Sequence, residues 1–301
     1  MNPSAWDPVR DAAEAWAAAG RAAVVVTVVE HQGSVPRESG TRMLVAADAV
    51  VGTIGGGHLE LQALETARSL LLAGASTGSA RRAAVVGEAE ARPARVRMHP
   101  VRAEPVQALL EHRIALGPSL GQCCGGALVL RYTALAADAP SHWVGPRPRF
   151  TLHLFGAGHV GRAIVKLLAA VPCRVRWIDE REAEFPAVAL PPHIERVCAE
   201  PVQAEVAAAA AGDAFLVLTH SHDLDLAITR DILARGDFGF FGLIGSATKR
   251  ARFERRLAER GVAPDRIARM TCPIGLPGLR GKEPGVIAVA VVAQLLLVHP
   301  G

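Results

Sequence analysis

The chain has 301 residues, of which half are apolar and 21% are charged, and its formal net charge is +4 at pH 7. This composition excludes an intrinsically disordered chain, and at roughly 150 residues per domain the length predicts two domains. The small net charge and the 4% aromatic content also argue against a nucleic-acid-binding protein, which needs a basic groove with stacking rings.

The sequence predicts a cytoplasmic protein that does not associate with a membrane. Its N-terminal segment carries acidic residues where a signal peptide needs a basic region followed by an apolar core. The longest uncharged apolar run, residues 286–298, is shorter than the ~20 residues that span a bilayer, so it predicts a buried helix. Five cysteines without CxxC spacing do not suggest a disulfide framework.

The first half of the chain predicts an α/β domain whose topology the pattern leaves open. A helix is expected over 7–19, a buried strand over 22–30, and shorter strands over 42–46 and 50–54. A second helix is expected over 58–72. The inward face predicted for this helix consists of Leu61, Leu64, Ala67 and Leu71.

Residues 138–149 are rich in proline and arginine and lie between apolar runs, so they predict an exposed linker. The linker separates a first domain, residues 1–137, from a second domain, residues 150–301.

The second domain predicts repeated βα units. Strand patterns occur at 151–155, 173–178, 215–219 and 238–244, and helical patterns follow them. Such a repeat favours a doubly wound parallel sheet.

A glycine loop, GAGHVG at 156–161, follows the first of these strands directly and opens a helix, as a dinucleotide-binding motif requires. Gly156 suits the tight turn, Gly158 lets the backbone approach a phosphate, and Gly161 lets the helix pack close to the sheet. Asp179 ends the next strand at the position of a ribose-binding acid. The alternative is that the glycines only shape the turn and that no nucleotide binds.

Three glycine-rich loops in the first domain predict a ligand site with both phosphate-binding and soft-metal chemistry. They are GSVPRESG at 33–40, TIGGGHLE at 53–60, and the start of LGQCCGGALVLRY at 120–132, which leads into a further strand. The alternative for each loop is a simple connector. The residues expected to contribute are Pro36, Arg37, Gly55, Gly56, Gly57, Gln122, Cys123 and Cys124.

The adjacent Cys123 and Cys124 are the candidate metal contacts. Exposed backbone amides of flanking glycines can lower the pKa of a thiol, and thiolates suit soft metals. The alternative is that both are small buried apolar residues.

Two segments that follow strands of the second domain predict further ligand contacts. In THSHDLD, His220 is expected to line the crevice at the carboxyl edge of the sheet, with Asp223 or Asp225 capping the next helix. The segment lacks the further histidine that a dinuclear hydrolase site needs. In GSATKR, Lys249 and Arg250 are the two cations best placed to reach a phosphate, and the alternative is that this charged helix presents a solvated face.

Taken together, these segments resemble the XdhC/CoxI family of molybdenum hydroxylase maturation factors over residues 24–297. The matching strings are GSVPRESG, TIGGGHLE, GQCCGG, FGAGHVGRA, IDER, THSHDLD, GLIGSATKRARF and CPIGLPGLRGKEP. The resemblance implies an N-terminal α/β XdhC/CoxI domain and a C-terminal Rossmann-like domain.

The resemblance also implies a function, that of a cofactor chaperone in purine catabolism and not an enzyme. Family members bind the molybdenum cofactor, protect it while a cysteine desulfurase installs its sulfido ligand, and deliver it to the large subunit of xanthine dehydrogenase. Cofactor-biosynthesis proteins are implied as further partners. One thiolate of Cys123 or Cys124 is then expected to contact the molybdenum of bound molybdopterin.

Two other classes of function stay open at this stage. One is an NAD(P)-dependent oxidoreductase that uses the GAGHVG crevice, although no hydride acceptor site or general acid is evident. The other is a nucleotide-sensing scaffold with a dinucleotide in the second domain. Self-association into a homodimer also stays open.

Overall fold

The computed structural model describes residues 6–76, 108–116, 126–138 and 140–300. Contacts divide the chain into a first unit, Asp7–Val144, and a second unit, Gly145–Gly301 together with Met1–Trp6. This division falls inside the predicted linker, 138–149. Within the described ranges, each unit has a five-stranded sheet and its own apolar core.

The first unit is a mixed α/β structure, as predicted. Its described elements are α1 (Pro8–Ala18), β1 (Val24–Gln32), β2 (Arg42–Val45), β3 (Val50–Gly52), α2 (Gly57–Ser76), β4 (Ala108–Ala115) and β5 (Ala127–Ala134). The strands form an antiparallel sheet in the order β3-β2-β1-β5-β4. Strand β4 was not predicted, because this edge strand carries charged residues such as Glu111, which pairs across to Arg131 at 2.6 Å.

The central strand β1 is apolar on both sides, although the sheet is antiparallel. Val24, Val26 and Val28 belong to the core with α2, whereas Val25 belongs to the cluster with Ala13 of α1. Because a helix covers each face of the sheet, the side chains on both sides of β1 are apolar. This explains the unbroken apolar run over residues 22–30.

Helix α2 turns inward most of the face that was predicted, since Ala67 is fully buried and Leu64 and Leu71 pack against the core. Leu59, Ala63 and Ala67 are fully buried at a spacing of four residues, whereas Leu61 is 52% exposed. The prediction for Leu61 was wrong, because apolar residues along α2 outnumber those that a single helical face can bury.

The second unit is a doubly wound parallel structure, which confirms the Rossmann-like prediction. Its elements are β6 (Thr151–Phe155), α3 (His159–Leu168), β7 (Arg174–Asp179), β8 (Ile194–Cys198), β9 (Ala214–Val217), α4 (His222–Arg235), β10 (Phe240–Leu243), α5 (Ala247–Ala258), α6 (Pro264–Ala268) and α7 (Pro284–Val298). The strand order is β8-β7-β6-β9-β10, with every neighbour parallel. The short, half-polar edge strand β8 was not predicted.

Helices cover both faces of the parallel sheet. One apolar cluster joins α3 and α7 to the sheet, and a second joins α4, α5 and α6 to the opposite face. The predicted apolar helix begins at Pro284, where proline is favoured at the first helical position. It packs along one side only, since Leu295 is fully buried and Leu297 is 69% exposed.

One residue of the predicted exposed linker belongs to the core of the first unit. Trp143 is 5% exposed in the apolar cluster beneath α1. Its indole Nε1 donates to Asp138 Oδ1 at 2.8 Å, and the Arg42 guanidinium lies 4.8 Å from the ring centroid. The linker prediction was wrong here because a tryptophan side chain buries a large apolar area despite its polar neighbours.

This burial predicts a sharp contrast between neighbouring positions. Trp143→Ala should lower the free energy of unfolding by about 3–5 kcal/mol, the usual cost of deleting a buried tryptophan. Val144→Ala is the matched control, because Val144 is 87% exposed and its truncation should leave stability unchanged. Urea unfolding followed by circular dichroism measures both, and equal effects would contradict the assignment of Trp143 to the core.

A buried histidine lies inside the parallel sheet. His153 of β6 is 1% exposed, stacks on Phe215 and has Nε2 2.9 Å from Asp213 Oδ2. Burial lowers the pKa of His153, and the contact with Asp213 only partly opposes this. The histidine is therefore held neutral in the folded protein at neutral pH.

The lowered pKa of His153 predicts that stability is lost as pH falls. Below about pH 6.5, the pKa of histidine in the unfolded chain, the unfolded chain binds a proton that the folded chain does not. The free energy of unfolding then falls by up to about 1.4 kcal/mol per pH unit. His153→Gln, which can still donate to Asp213 and does not titrate, should show a smaller loss of unfolding free energy between about pH 7.5 and about pH 5.5. Identical pH dependence in both proteins would exclude His153 as the titrating group.

Candidate functional site

The parallel sheet of the second unit gathers several helix starts at one edge. The chain proceeds from β6 outward to β8, then returns to β9 on the other side of β6 and continues to β10. Helices α3, α4 and α5 begin directly after the carboxyl ends of β6, β9 and β10. In open α/β sheets, this reversal of strand order creates the crevice in which ligands bind.

The glycines of GAGHVG serve different purposes. Gly156 has φ +122°, and a Cβ there would lie 2.8 Å from the carbonyl carbon of Leu218. A Cβ at Gly161 would lie 3.1 Å from the carbonyl carbon of Gly156. Both positions therefore need glycine for the loop to pack, whereas a Cβ at Gly158 would meet no atom of the described chain within 4 Å. Space outside Gly158 is open at the N-terminus of α3.

Asp179 lies at the predicted end of β7, but both oxygens of its carboxylate already accept hydrogen bonds from this chain. Oδ2 accepts from the Ala157 amide at 2.7 Å and from the Arg181 guanidinium at 3.0 Å, and Oδ1 accepts from Arg181 Nε and from its amide. Burial would raise the pKa of Asp179, but these hydrogen bonds outweigh burial and the pKa is lowered. The charged carboxylate thus holds the glycine loop, and its contact with a ribose stays a prediction.

An open cleft of about 440 Å³ lies between the starts of α4 and α5. It contains two of the predicted site residues, His220 and Lys249. His220 is 43% exposed at its side chain, and its Nε2 lies 3.6 Å from Glu180 Oε1. The complete lining is Thr219, His220, His222, Asp225, Ile244, Gly245, Ser246, Thr248, Lys249 and Arg252.

A buried ion pair forms the base of this cleft. Lys249 Nζ donates to Asp225 Oδ2 at 2.5 Å and to the Ile244 carbonyl at 2.8 Å. The other oxygen of Asp225 accepts from the Thr219 hydroxyl at 2.7 Å and from its amide at 3.0 Å. Gly245 leaves room for the lysine, because a Cβ there would lie 2.8 Å from Lys249 Cδ. The cleft therefore has a fixed ammonium group at its base.

The helix cap predicted in THSHDLD is wrong. Ser221 caps α4, since its hydroxyl accepts from the Leu224 amide at 3.4 Å. Asp225 lies one turn further on, is 1% exposed and pairs with Lys249. Asp223 is exposed and pairs with Arg256. The partner of Asp225 comes from a distant helix, and sequence spacing gives no signal for it.

Arg250, the second cation that was predicted to reach a phosphate, does not line the cleft. Arg250 points out of the cleft, because its guanidinium donates to Glu254 at 2.7 Å and to the Cys272 carbonyl at 3.2 Å. Arg252 lines the cleft instead, with one guanidinium nitrogen 3.2 Å from His222 Nδ1. Residues three apart share a helical face, so the spacing of Lys249 and Arg252 was the available signal.

The glycine-rich loops of the first unit meet at one end of the antiparallel sheet. Pro36 packs against Gly55, where a Cβ would lie 2.5 Å from the proline ring. A Cβ at Gly126 would lie 2.6 Å from the carbonyl oxygen of Gln32, which ends β1. Arg37 is exposed in the first loop. Gln122, Cys123 and Cys124 lie outside the described residues, so their contacts stay predictions.

The predicted anion nest at Gly55, Gly56 and Gly57 already holds a carboxylate of the same chain. Glu60 Oε2 accepts from the Ile54 amide at 3.2 Å and from the Gly56 amide at 3.1 Å, and also from the Thr53 hydroxyl. A ligand at these two amides has to compete with Glu60.

The part of the chain that the structure describes contains neither a metal-ligand cluster nor a membrane-spanning helix. No group of three or more histidine, cysteine, aspartate or glutamate side chains is placed to hold a metal ion there. No helix among those residues combines the length and apolar character needed to cross a bilayer.

The buried pair predicts strong coupling between Asp225 and Lys249. Asp225→Asn removes the counter-charge of a buried ammonium and should lower the free energy of unfolding by about 3–5 kcal/mol. The double variant Asp225→Asn, Lys249→Met should recover most of that loss, because neither charge is then left alone. Urea unfolding at neutral pH of the unmodified protein, the double variant and each of its two single variants measures the cycle, and strictly additive effects would show that the two groups do not interact.

Comparison with known proteins identifies relatives that match most of the chain. Family models match at residues 16–83, for the XdhC and CoxI family, and at residues 152–295, for the XdhC Rossmann domain. The uncharacterized protein YqeB of Escherichia coli K12 is 31% identical over 283 residues, which are 90% of this chain and 42% of YqeB. The chain thus spans less than half the length of this curated relative.

A solved structure shares the fold along almost the whole chain. It is described as a xanthine dehydrogenase from Bacillus halodurans and has a TM-score of 0.64 at 18% identity, covering 97% of this chain and 96% of that one. The two family matches lie in the two units described above, in the same order. The chain therefore belongs to the XdhC and CoxI family.

Proposed function

We propose that this protein is a cytoplasmic accessory factor that holds the molybdenum cofactor during sulfuration and delivers it to the large subunit of xanthine dehydrogenase. Members of its family are accessory or maturation factors, which supports a carrier and not an enzyme. Its partners in this role are a cysteine desulfurase, cofactor-biosynthesis proteins and the xanthine dehydrogenase subunit. The cofactor is cargo, and it carries the molybdenum centre that the recipient enzyme needs.

The cleft of the second unit is the observation that carries this proposal. It is open, has a volume of about 440 Å³ and is lined by Lys249, Arg252 and two histidines. Molybdopterin is a compact molecule with one phosphate, and ligands of this size occupy clefts of about 300–1,000 Å³. The cations of this cleft fit such an anionic ligand. The open space outside Gly158, at the N-terminus of α3, is a separate position that suits an anion.

The thiols of the first unit are a separate candidate contact, which does not depend on the cleft of the second unit. Cys123 or Cys124 is expected to contact the molybdenum, because a thiolate is a soft ligand. Support comes from the described residues around them, since Gly126 packs against the loop that begins after Gln32. The described loops at 33–40 and 53–60 therefore lie at the end of the sheet where β5 begins.

The alternative of an NAD(P)-dependent oxidoreductase is favoured by the strand, glycine loop and helix at 151–168, and disfavoured by the geometry at Asp179. All the strong acceptor positions of that carboxylate are taken by Arg181 and Ala157. The space beside it, lined by Phe155 and Val202 among others, measures only about 10 Å³. A ribose would have to displace Arg181 and open this space, which counts against a dinucleotide as the resident ligand.

Cofactor retention tests the proposal. The full chain, purified from cells that make molybdopterin, should retain pterin and molybdenum, measured by fluorescence after oxidation and by mass spectrometry, and should not oxidise NADH. An empty protein that also fails to bind added cofactor would end the carrier hypothesis. Turnover of NADH would favour the oxidoreductase, and nucleotide binding alone would favour a sensing scaffold.

Two variants probe the residues that would hold the cargo. Gly158→Ala should lower cofactor retention while costing less than about 1 kcal/mol of stability, whereas Gly161→Ala should destabilise the fold through its clash with Gly156. The double variant Cys123→Ala, Cys124→Ala should lose the molybdenum. Unchanged retention in either Gly158→Ala or the double cysteine variant would remove that site from the proposal.

A further inference from the structure

We propose that the cleft between α4 and α5 is a binding site for a phosphate monoester dianion, in which Arg252 is the main contact and Lys249 the fixed base. This inference rests on the proposed function in one respect: in the carrier, the phosphate is the one attached to the pterin. The same chemistry is found in a nucleotide monophosphate, so the experiment below separates the two sources.

The groups that line the cleft include several hydrogen-bond donors, among them Lys249, Arg252 and the hydroxyl of Ser246. The one buried carboxylate, Asp225, has both oxygens occupied by Thr219 and Lys249. Ser246 caps α5 by accepting from the Lys249 amide at 3.2 Å, so its hydroxyl proton is available to a ligand. A surface of this kind repels a metal cation and suits a ligand with several acceptor oxygens.

The contact of His222 with Arg252 leaves the Nε2–H of the imidazole as a further hydrogen-bond donor in the cleft. The guanidinium N–H donates to His222 Nδ1 at 3.2 Å, which requires a lone pair on that nitrogen. The proton of the neutral ring is then on Nε2, and that N–H remains for the ligand. This tautomer is assigned from the hydrogen bond. Both side chains are exposed and line the same cleft.

The charge of the cleft matches a dianion. Lys249 and Asp225 neutralise each other, which leaves the full positive charge of Arg252. The N-termini of α4 and α5 contribute roughly half a positive charge each. These lining groups and helix N-termini sum to about +2, and a phosphate monoester carries about −1.5 to −2 at neutral pH. Glu180, which contacts His220 from outside the lining, is not part of this sum.

The lysine has a spare donor and a fixed position. Two of its N–H groups go to Asp225 and Ile244, and no acceptor for the third occurs among the described residues. Its side chain is 9% exposed and lies 5.3 Å from the centroid of the Phe253 ring. An ammonium held in this way is already in place before the ligand arrives, so little side-chain entropy is lost on binding.

The test measures phosphate binding to the full chain by isothermal titration calorimetry. Inorganic phosphate should bind at millimolar concentration, and Arg252→Gln should weaken its Kd by about tenfold or more, as expected for loss of a bidentate arginine contact. Arg255→Gln is the matched control: it removes the same charge from the same helix, and the Arg255 side chain is 74% exposed and pairs with Glu259. Its Kd should equal that of the unmodified protein.

Failure of either part overturns the proposal. If the unmodified protein does not bind phosphate, or if Arg252→Gln binds it as well as Arg255→Gln does, the cleft is not a phosphate site. Thermal unfolding of the three proteins checks that they are equally folded. Arg252 is exposed, so its replacement is not expected to unfold the chain.

Two further titrations distinguish a pterin phosphate from a nucleotide phosphate, and the phosphate site from the carrier function. Extracted molybdenum cofactor and AMP are each titrated into the unmodified protein and into Arg252→Gln. Binding of either ligand that depends on Arg252 supports a phosphate monoester site, and the ligand that binds more tightly identifies the source of the phosphate. Cofactor retention that is independent of Arg252, together with AMP and phosphate binding that is also independent of it, overturns this inference and leaves the carrier function standing. Phosphate and AMP binding that depends on Arg252, without any cofactor binding, supports the site and ends the carrier function.

Discussion

The ion pair between Lys249 and Asp225 is the interaction on which the candidate site depends. Both side chains are at least nine-tenths buried, and they join helices α4 and α5 beneath the cleft. A buried pair of this kind is seldom a source of stability, since desolvation offsets much of the attraction. Here the ion pair fixes the position of the Lys249 ammonium group. It also holds the N-termini of α4 and α5 on either side of that group.

Two aspartates of the second unit show how the carboxyl edge becomes a surface of donors. The carboxylate of Asp179 accepts hydrogen bonds from Arg181 and from the Ala157 amide of the glycine loop. The carboxylate of Asp225 accepts from Lys249 and Thr219. A free carboxylate at this edge would repel an anion or attract a cation. With both neutralised inside the chain, the cations and helix N-termini determine the electrostatic character of the crevice.

The first unit uses its glycine-rich segments differently. Strands β1 and β3 end, and strand β5 begins, at the same end of the antiparallel sheet, so the loops attached to them converge there. Glu60 already accepts from the amides of Ile54 and Gly56, so this loop satisfies its own backbone donors at those two positions. Ligand chemistry in this unit therefore depends on groups other than those two amides.

The sequence by itself determined the features that local patterns encode: the βα repeat, the glycine loop ahead of α3, the apolar strand β1 and the start of α7 at Pro284. It also identified His220 and Lys249 as residues of the crevice, because each follows a strand of a parallel sheet. Hydrophobic periodicity and glycine spacing depend on neighbouring residues only, so one chain is enough to read them.

Only the tertiary structure decided which side chains pair. Asp225 and Lys249 are 24 residues apart, Arg252 faces the cleft while Arg250 faces Glu254, and Trp143 is buried inside a polar segment. These outcomes depend on where distant elements pack and on which way a helix turns its faces. Composition and spacing carry no record of either, because burial and charge pairing are settled by contacts between segments far apart in the chain.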